Sequence, residues 1–254
     1  MKHYKKLIEF GCFSRSDIVE LVGNESTANS LLREYLRKNY IERVRRDRFV
    51  TISLETKQPI VSRYRIGCSL FPDAVISHHS AFEVYGYANQ VYYMVCVTTE
   101  SRFSDFTYDG ITYHRVAPNH GQQIATVNGV RMTGIEQTVV DSIADFEQLG
   151  GLEETLRCLQ LIPALHEEKL IEILVGRSNG FLWQKCGYLL SVVPNTFRLS
   201  DSFFEECRRH KTKSKRSLMQ NAPYEQIWDP KWGLYVPAHA EALWNKGVND
   251  DDAI

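Results

Sequence analysis

The clearest periodic run of apolar positions lies between residues 28 and 36. Ala28, Leu31, Leu32, Tyr35 and Leu36 fall at i, i+3, i+4, i+7 and i+8, one face of an α-helix. The opposite face carries Ser26, Ser30, Arg33 and Arg37, with Thr27 and Asn29 at its margins. Two shorter runs precede it. Lys2 to Phe10 reads as an amphipathic helix with Tyr4, Leu7 and Ile8 inward and Lys2, Lys5 and Lys6 outward, closed by Gly11. Ser14, with Asp17 three residues on, is a capping box for a second helix whose apolar side is Ile18, Val19, Leu21 and Val22. Gly23-Asn24 makes the turn into the third helix. Beyond Tyr40-Ile41, two short strands run to Ile52, with Arg45, Arg46, Asp47 and Arg48 near the tip between them.

Helix, helix–turn–helix and basic hairpin is the order of a winged helix-turn-helix. In that geometry the third helix enters the major groove and the hairpin lies against the backbone or minor groove. Ser26, Thr27, Asn29, Ser30, Arg33 and Arg37 on the helix, and Arg45, Arg46 and Arg48 on the hairpin, are then the expected contacts to double-stranded DNA. An ordinary solvated helix face and an ordinary charged hairpin are the competing readings.

Thr56-Lys57-Gln58-Pro59 is a polar junction, which predicts a DNA-binding domain over 1–58 and a larger domain over 59–254. In the larger part, Ser77 to Gly86 reads as a Ser-capped helix closed by glycine. Val91 to Thr99 reads as a buried strand. Asp109-Gly110 and Asn128-Gly129, each between strand-like runs, signal hairpins. Thr133-Gly134-Ile135-Glu136 reads as a capping box for a helix that ends before Gly150-Gly151. Further helices are expected near Leu152–Leu161, Ala164–Val175, Phe181–Val192 and Asp201–Arg209, then a strand over Gly233–Pro237 and a frayed acidic terminus. The fold class is α+β: a winged helix, then a mixed α/β domain with a helical end.

Composition changes this picture little. Hydrophobic residues are 43% and charged residues 24% of the 254, ordinary for a globular protein. No apolar run is long enough to cross a bilayer and the start lacks a signal region, so the expectation is a cytoplasmic protein with no membrane partner. Charge changes it more. The formal net charge is −1, yet residues through Gln58 hold twelve Lys and Arg against eight Asp and Glu, and the remainder 18 against 23. A basic first segment suits an anionic partner. A second basic stretch holds Arg208, Arg209, Lys211, Lys213, Lys215 and Arg216, and reads as a solvated loop or as a surface for an acidic protein or nucleic acid.

Candidate chemistry is sparse. The six cysteines are scattered with no C-x-x-C pair, which predicts buried thiols, and the eight histidines form no metal-binding spacing. No metal site and no cofactor are expected. His78, His79 and Ser80 are adjacent on a helix and point in different directions, which suits capping and packing. Asp141 after Glu136 forms no recognised carboxylate pair. No phosphate-cradling loop or nucleophile elbow is present, so no catalytic residue is assigned.

Four segments resemble the AbiEi family of antitoxins, the regulator half of type IV (AbiE-type) toxin–antitoxin systems of phage defence. They are the winged helix with Ile41-Glu42-Arg43-Val44; Ile76-Ser77-His78-His79-Ser80-Ala81-Phe82 with Gly86; Val130 to Asp141; and Gly150-Gly151-Leu152-Glu153-Glu154. Gln184 to Leu190 is a fifth, softer match. The chain departs from the pattern at Arg46-Asp47-Arg48-Phe49, where many relatives have glycine before the aromatic, and at Gln137, where they often have arginine. The resemblance implies that the N-terminal module binds inverted repeats in its own promoter. It also implies that the C-terminal domain neutralises a nucleotidyltransferase-like toxin, generally without a stable complex. Two other classes remain open: a stand-alone regulator whose C-terminal domain senses a ligand or partner, and a winged helix preceding a nuclease-like domain, for which no acidic-lysine site can be assembled.

Overall fold

The computed structural model describes residues 3–119, 121–193, 197–223 and 225–245. Lys2 and the acidic terminus beyond 245, for which the sequence makes specific predictions, lie outside the described residues. Helices and several sheets are mixed along the chain, which is α+β as expected. Its contacts gather it into two compact units, one of residues 1–76, 93–117 and 126–132, the other of residues 77–92, 118–125 and 133–254. This grouping does not break at Gln58.

The first unit opens with α1 (Tyr4–Phe10), β1 (Cys12–Ser14), α2 (Arg15–Val22), α3 (Glu25–Arg37), β2 (Ile41–Arg45) and β3 (Arg48–Thr51). The predicted capping box at Ser14 is present, with Ser14 Oγ accepting from the Asp17 amide and the Asp17 carboxylate accepting from the Ser14 amide at 2.6 Å. Gly23 ends α2 in the left-handed region, and Asn24 caps α3 by accepting from the Thr27 amide at 3.0 Å. Tyr4, Leu7, Phe13, Ile18, Ala28, Leu32, Tyr35, Ile41 and Phe49 form one core. Ile8, expected inward, is 46% exposed, because a seven-residue helix has room for only a narrow buried stripe.

The strand β1 escapes the sequence reading. It is three residues long and pairs antiparallel with β3, making the sheet β1-β3-β2. Gly11 makes this possible: its φ is +70°, and a Cβ there would lie 2.5 Å from Val61 Cγ1.

The rest of the unit holds most of a six-stranded mixed sheet in the order β6-β7-β5-β4-β9-β8, with α4 (Arg63–Cys68) packed on β4 and β5. Its strands are β4 (Val75–Ile76), β5 (Met94–Thr98), β6 (Phe106–Tyr108), β7 (Ile111–Val116), β8 (Ile124–Val127) and β9 (Val130–Thr133). Both predicted hairpins are present, and Asp109, Gly110, Asn128 and Gly129 all have positive φ, as two-residue turns of this type require. β5 is shorter than the predicted strand: Val91 and Tyr93 are 70% and 76% exposed and lie outside it.

The second unit is mainly helical, with α5 (His78–Tyr85), α6 (Ile135–Asp145), α7 (Leu152–Gln160), α8 (Glu167–Arg177), α9 (Gly180–Val192) and α10 (Asp201–Arg209). A small sheet of β10 (Arg216–Ser217), β11 (Gln226–Asp229) and β12 (Leu234–Pro237) follows, then α11 (Ala240–Asn245). Two caps differ from expectation. Ser77 stands at the N-cap of α5 but makes no side-chain cap bond, its Oγ lying 2.8 Å from His78 Nδ1. The N-cap of α6 is Gly134 rather than Thr133, whose hydroxyl instead meets that of Thr138 at 2.7 Å. Glu136 Oε1 accepts from the His166 amide at 3.0 Å, so it serves the approach to α8. No helix among the described residues is long and apolar enough to cross a membrane.

Candidate nucleic-acid interface

The outer face of α3 and the β2–β3 hairpin border a cleft in the first unit. Its floor is Leu32, Leu36 and Phe49, and its walls are Arg15, Asn29, Arg33, Arg43, Arg46 and Asp47. Four guanidiniums thus face one carboxylate. Arg33, Arg43 and Arg46 are exposed. Arg43 lies over the Phe49 ring at 5.4 Å, a placement that shields its stem while leaving the charge near water. Arg15 is tied down more firmly: Nε donates to Asn29 Oδ1 at 2.8 Å, a terminal nitrogen reaches Glu25 at 3.2 Å, and its amide donates to Asp47 at 3.3 Å.

Each sequence-predicted contact has a distinct place. Ser26, Thr27, Ser30, Arg33 and Arg37 are exposed on α3, and Asn29 is half-buried under Arg15. Ser30 Oγ donates to the Ser26 carbonyl at 3.0 Å, so its hydrogen is used within the helix while its lone pairs face out. The three hairpin arginines separate. Arg46 reaches the cleft, whereas Arg45 lies 5.6, 5.2 and 5.2 Å from the ring centres of Phe71, Phe103 and Phe106. Arg48 Nε donates to the Leu70 carbonyl at 2.8 Å. Arg45 and Arg48 are therefore occupied within their own unit.

A β-bulge accounts for the split. Arg43 pairs with Phe49 but Arg45 with Arg48, so Val44 is an extra residue and strict alternation fails between the two arginines. Arg15 and Arg43 are the cleft residues that pattern reading missed. Arg15 follows a capping serine and looks like an ordinary first-turn residue. Arg43 sits in a strand whose side-chain directions depend on that bulge.

The histidines of α5 are buried and have polar partners, a half-exposed carboxylate for His78 and a buried one for His79. His78 Nε2 lies 3.3 Å from Asp145 Oδ2, which completes a Ser77–His78–Asp145 chain. Ser77 is fully buried, so no substrate carbonyl can approach its Oγ. His79 stacks on Tyr92 with ring centres 4.0 Å apart, and its Nε2 lies 3.0 Å from Glu154 Oε1. That oxygen also accepts the amides of Asn89 and Gln90, each at 3.1 Å.

His79, Glu154 and Cys158 bring three ligand-type atoms within 4.8 Å of one another, a set that could in principle hold a divalent ion. Burial, with Glu154 adding to it, pushes the Cys158 thiol well above its usual range. Cys158 Sγ lies 3.5 Å from Glu154 Oε1, and the contacts of this group join α5, the 89–92 segment and α7. All six cysteines are free, and all but Cys12 are buried.

The basic stretch begins in the last turn of α10, and half of its cations are laid on aromatic rings. Arg208 lies 5.8 Å from the Trp232 ring centre, Lys215 5.0 Å from Trp228 and Arg216 5.3 Å from Phe181. Arg209 pairs with Glu206, Lys211 Nζ donates to the Lys231 carbonyl at 3.1 Å, and Lys213 is exposed.

No family model matches the chain, and no curated protein matches it. Among solved structures, the crystal structure of the RV2827C protein from Mycobacterium tuberculosis is similar, with a TM-score of 0.68 over 95% of this chain and 92% of that one at 14% sequence identity. At that identity the likeness is one of fold.

Proposed function

We propose that this protein is a DNA-binding autorepressor and antitoxin whose DNA surface is the cleft beside α3. The observation that carries the reading is the convergence of Arg15, Arg33, Arg43 and Arg46 on that cleft, next to a helix face of exposed hydroxyls. The order α2, turn, α3, hairpin is that of a winged helix-turn-helix, and in such modules the second helix of the pair enters the major groove. α3 would then present Ser26, Ser30 and Arg33 to base edges and phosphates, with Arg43 and Arg46 on the flanking backbone. The antitoxin half of the reading rests on the segments that resemble AbiEi proteins. It assigns repression to the cleft and neutralisation of a nucleotidyltransferase-like toxin to the rest of the chain.

The test is a salt-titrated gel shift with the DNA upstream of the protein's own gene, paired with co-expression of the neighbouring reading frame. Arg33→Ala with Arg46→Ala is expected to weaken binding and to reduce the salt slope by about one per lost phosphate contact. Arg45→Ala, which empties a phenylalanine cage, is expected to lower the melting temperature with little change in the slope. Unchanged affinity of the Arg33/Arg46 variant across salt would refute the cleft. Growth rescue from a nucleotidyltransferase by that same variant supports separate repressor and antitoxin surfaces. DNA binding with no neighbouring toxin to rescue would favour the stand-alone regulator.

A further inference from the structure

The small sheet of the second unit carries a row that the DNA reading leaves unused. β12 lies between β10 and β11, and its register sets Ser217, Tyr235 and Trp228 in one line across the three strands. Leu234 and Val236 are buried on the core side, so Tyr235 between them points outward and is 39% exposed. The Tyr235 and Trp228 rings are 5.0 Å apart and tilted by 57°, and Lys215 Nζ lies 5.0 Å from the Trp228 ring.

The chain segments that form this sheet are basic. Between residues 208 and 237 seven Lys and Arg stand against two carboxylates, Glu225 and Asp229. Asp229 Oδ1 already accepts the Trp232 amide at 3.0 Å. Lys213, Lys215, Arg216 and Lys231 are exposed.

We propose that this sheet face binds single-stranded nucleic acid, with bases on Tyr235 and Trp228 and phosphates along Lys213, Lys215 and Lys231. Cations alone would suit any polyanion, an acidic peptide included. An outward aromatic pair set among them adds what only an unpaired base uses, because each base offers a π-face and its stacking is worth about 1–3 kcal/mol. A duplex keeps its bases stacked inside and could use the lysines alone. The proposal is independent of the cleft beside α3, since every residue it names lies in the second unit.

Anisotropy of labelled oligouridylate and oligodeoxyuridylate with the full chain tests it, with poly-glutamate as competitor. Wild type is expected to bind an oligomer in a salt-dependent manner, and a preference between oligouridylate and oligodeoxyuridylate tells RNA from DNA. Tyr235→Ala should weaken binding about tenfold, as loss of one stack implies, while Tyr235→Phe should retain it. Lys213→Gln with Lys215→Gln, on exposed positions where folding is not at stake, should lower the salt slope by about 0.7 per lost phosphate. The Arg33→Ala, Arg46→Ala variant should bind these oligomers as wild type does. Absence of oligomer binding at low salt, full retention in both the Tyr235→Ala and lysine variants, or equal displacement by poly-glutamate would overturn the proposal. So would loss of binding in the cleft variant alone.

Discussion

Glu154 shows what a single buried side chain carries here. It is 4% exposed and bonded to His79 and to two backbone amides. Burial raises its carboxyl, but the His79 bond and the Gln90 amide outweigh that and hold it below its usual range. A carboxylate whose folded pKa is depressed contributes stability above its unfolded pKa of about 4.3, and that contribution is lost as pH falls through the folded value. Glu154→Gln is therefore expected to cost about 1–3 kcal/mol at pH 7, the scale of disturbing a buried hydrogen-bonded group. The gap to wild type should narrow below about pH 4. Denaturant titrations at both pH values check this, and a gap that widens in acid would contradict it. None of this was legible in the segment Ile76 to Phe82, because Glu154 lies 75 residues along the chain from His79 and 65 and 64 residues from the amides of Asn89 and Gln90.

At the scale of elements, local rules succeeded where one segment's own chemistry decides the outcome. The Ser14 capping box, the Gly23-Asn24 turn, the two hairpin turns and the spans of α7, α9 and α10 follow from side chains within a few residues of each feature. They failed where a distant partner decides. β1 exists because β3, some 36 residues on, lies beside it. α9 is buried from Leu182 to Leu190, and Gly187 in its middle is a contact surface. A Cβ at Gly187 would lie 2.1 Å from Trp232 Cζ3, and Trp232 is 1% exposed and has nowhere to retreat. Gly187→Ala should destabilise by about 3 kcal/mol through overpacking, despite the helix preference of alanine. Thermal unfolding reads this directly, and a neutral or stabilising result would show that the Trp232 packing adapts.

On the scale of the whole chain, the backbone passes between the two compact units five times, at residues 76–77, 92–93, 117–118, 125–126 and 132–133. The first unit therefore draws on segments well beyond the composition break at residue 58. Arg45 needs Phe71, Phe103 and Phe106, and Arg48 needs the Leu70 carbonyl. A fragment of residues 1–58 keeps the Tyr4 to Phe49 core and loses all of these. It is expected to melt at a lower temperature than the intact chain and to show rapid amide exchange in β2 and β3. A fragment as stable as the full protein would mean that the cage contributes nothing.

The sequence by itself determined the features that short-range physics controls. These are the helical stripe from Ala28 to Leu36, the Ser14 capping box and the turn before that stripe, the burial of most of the thiols, and the α+β class. It also marked α3 as a polar, arginine-bearing face, because helical spacing alone sorts those side chains. Only the tertiary structure decided which arginines share a cleft. The bulge at Val44 sends Arg45 into a phenylalanine cage assembled from residues 71, 103 and 106, and the fold brings Arg15 and Arg43 to the place that Arg45 and Arg48 leave. Side-chain direction in a short strand depends on register against a partner, and the partner is chosen by packing across the chain.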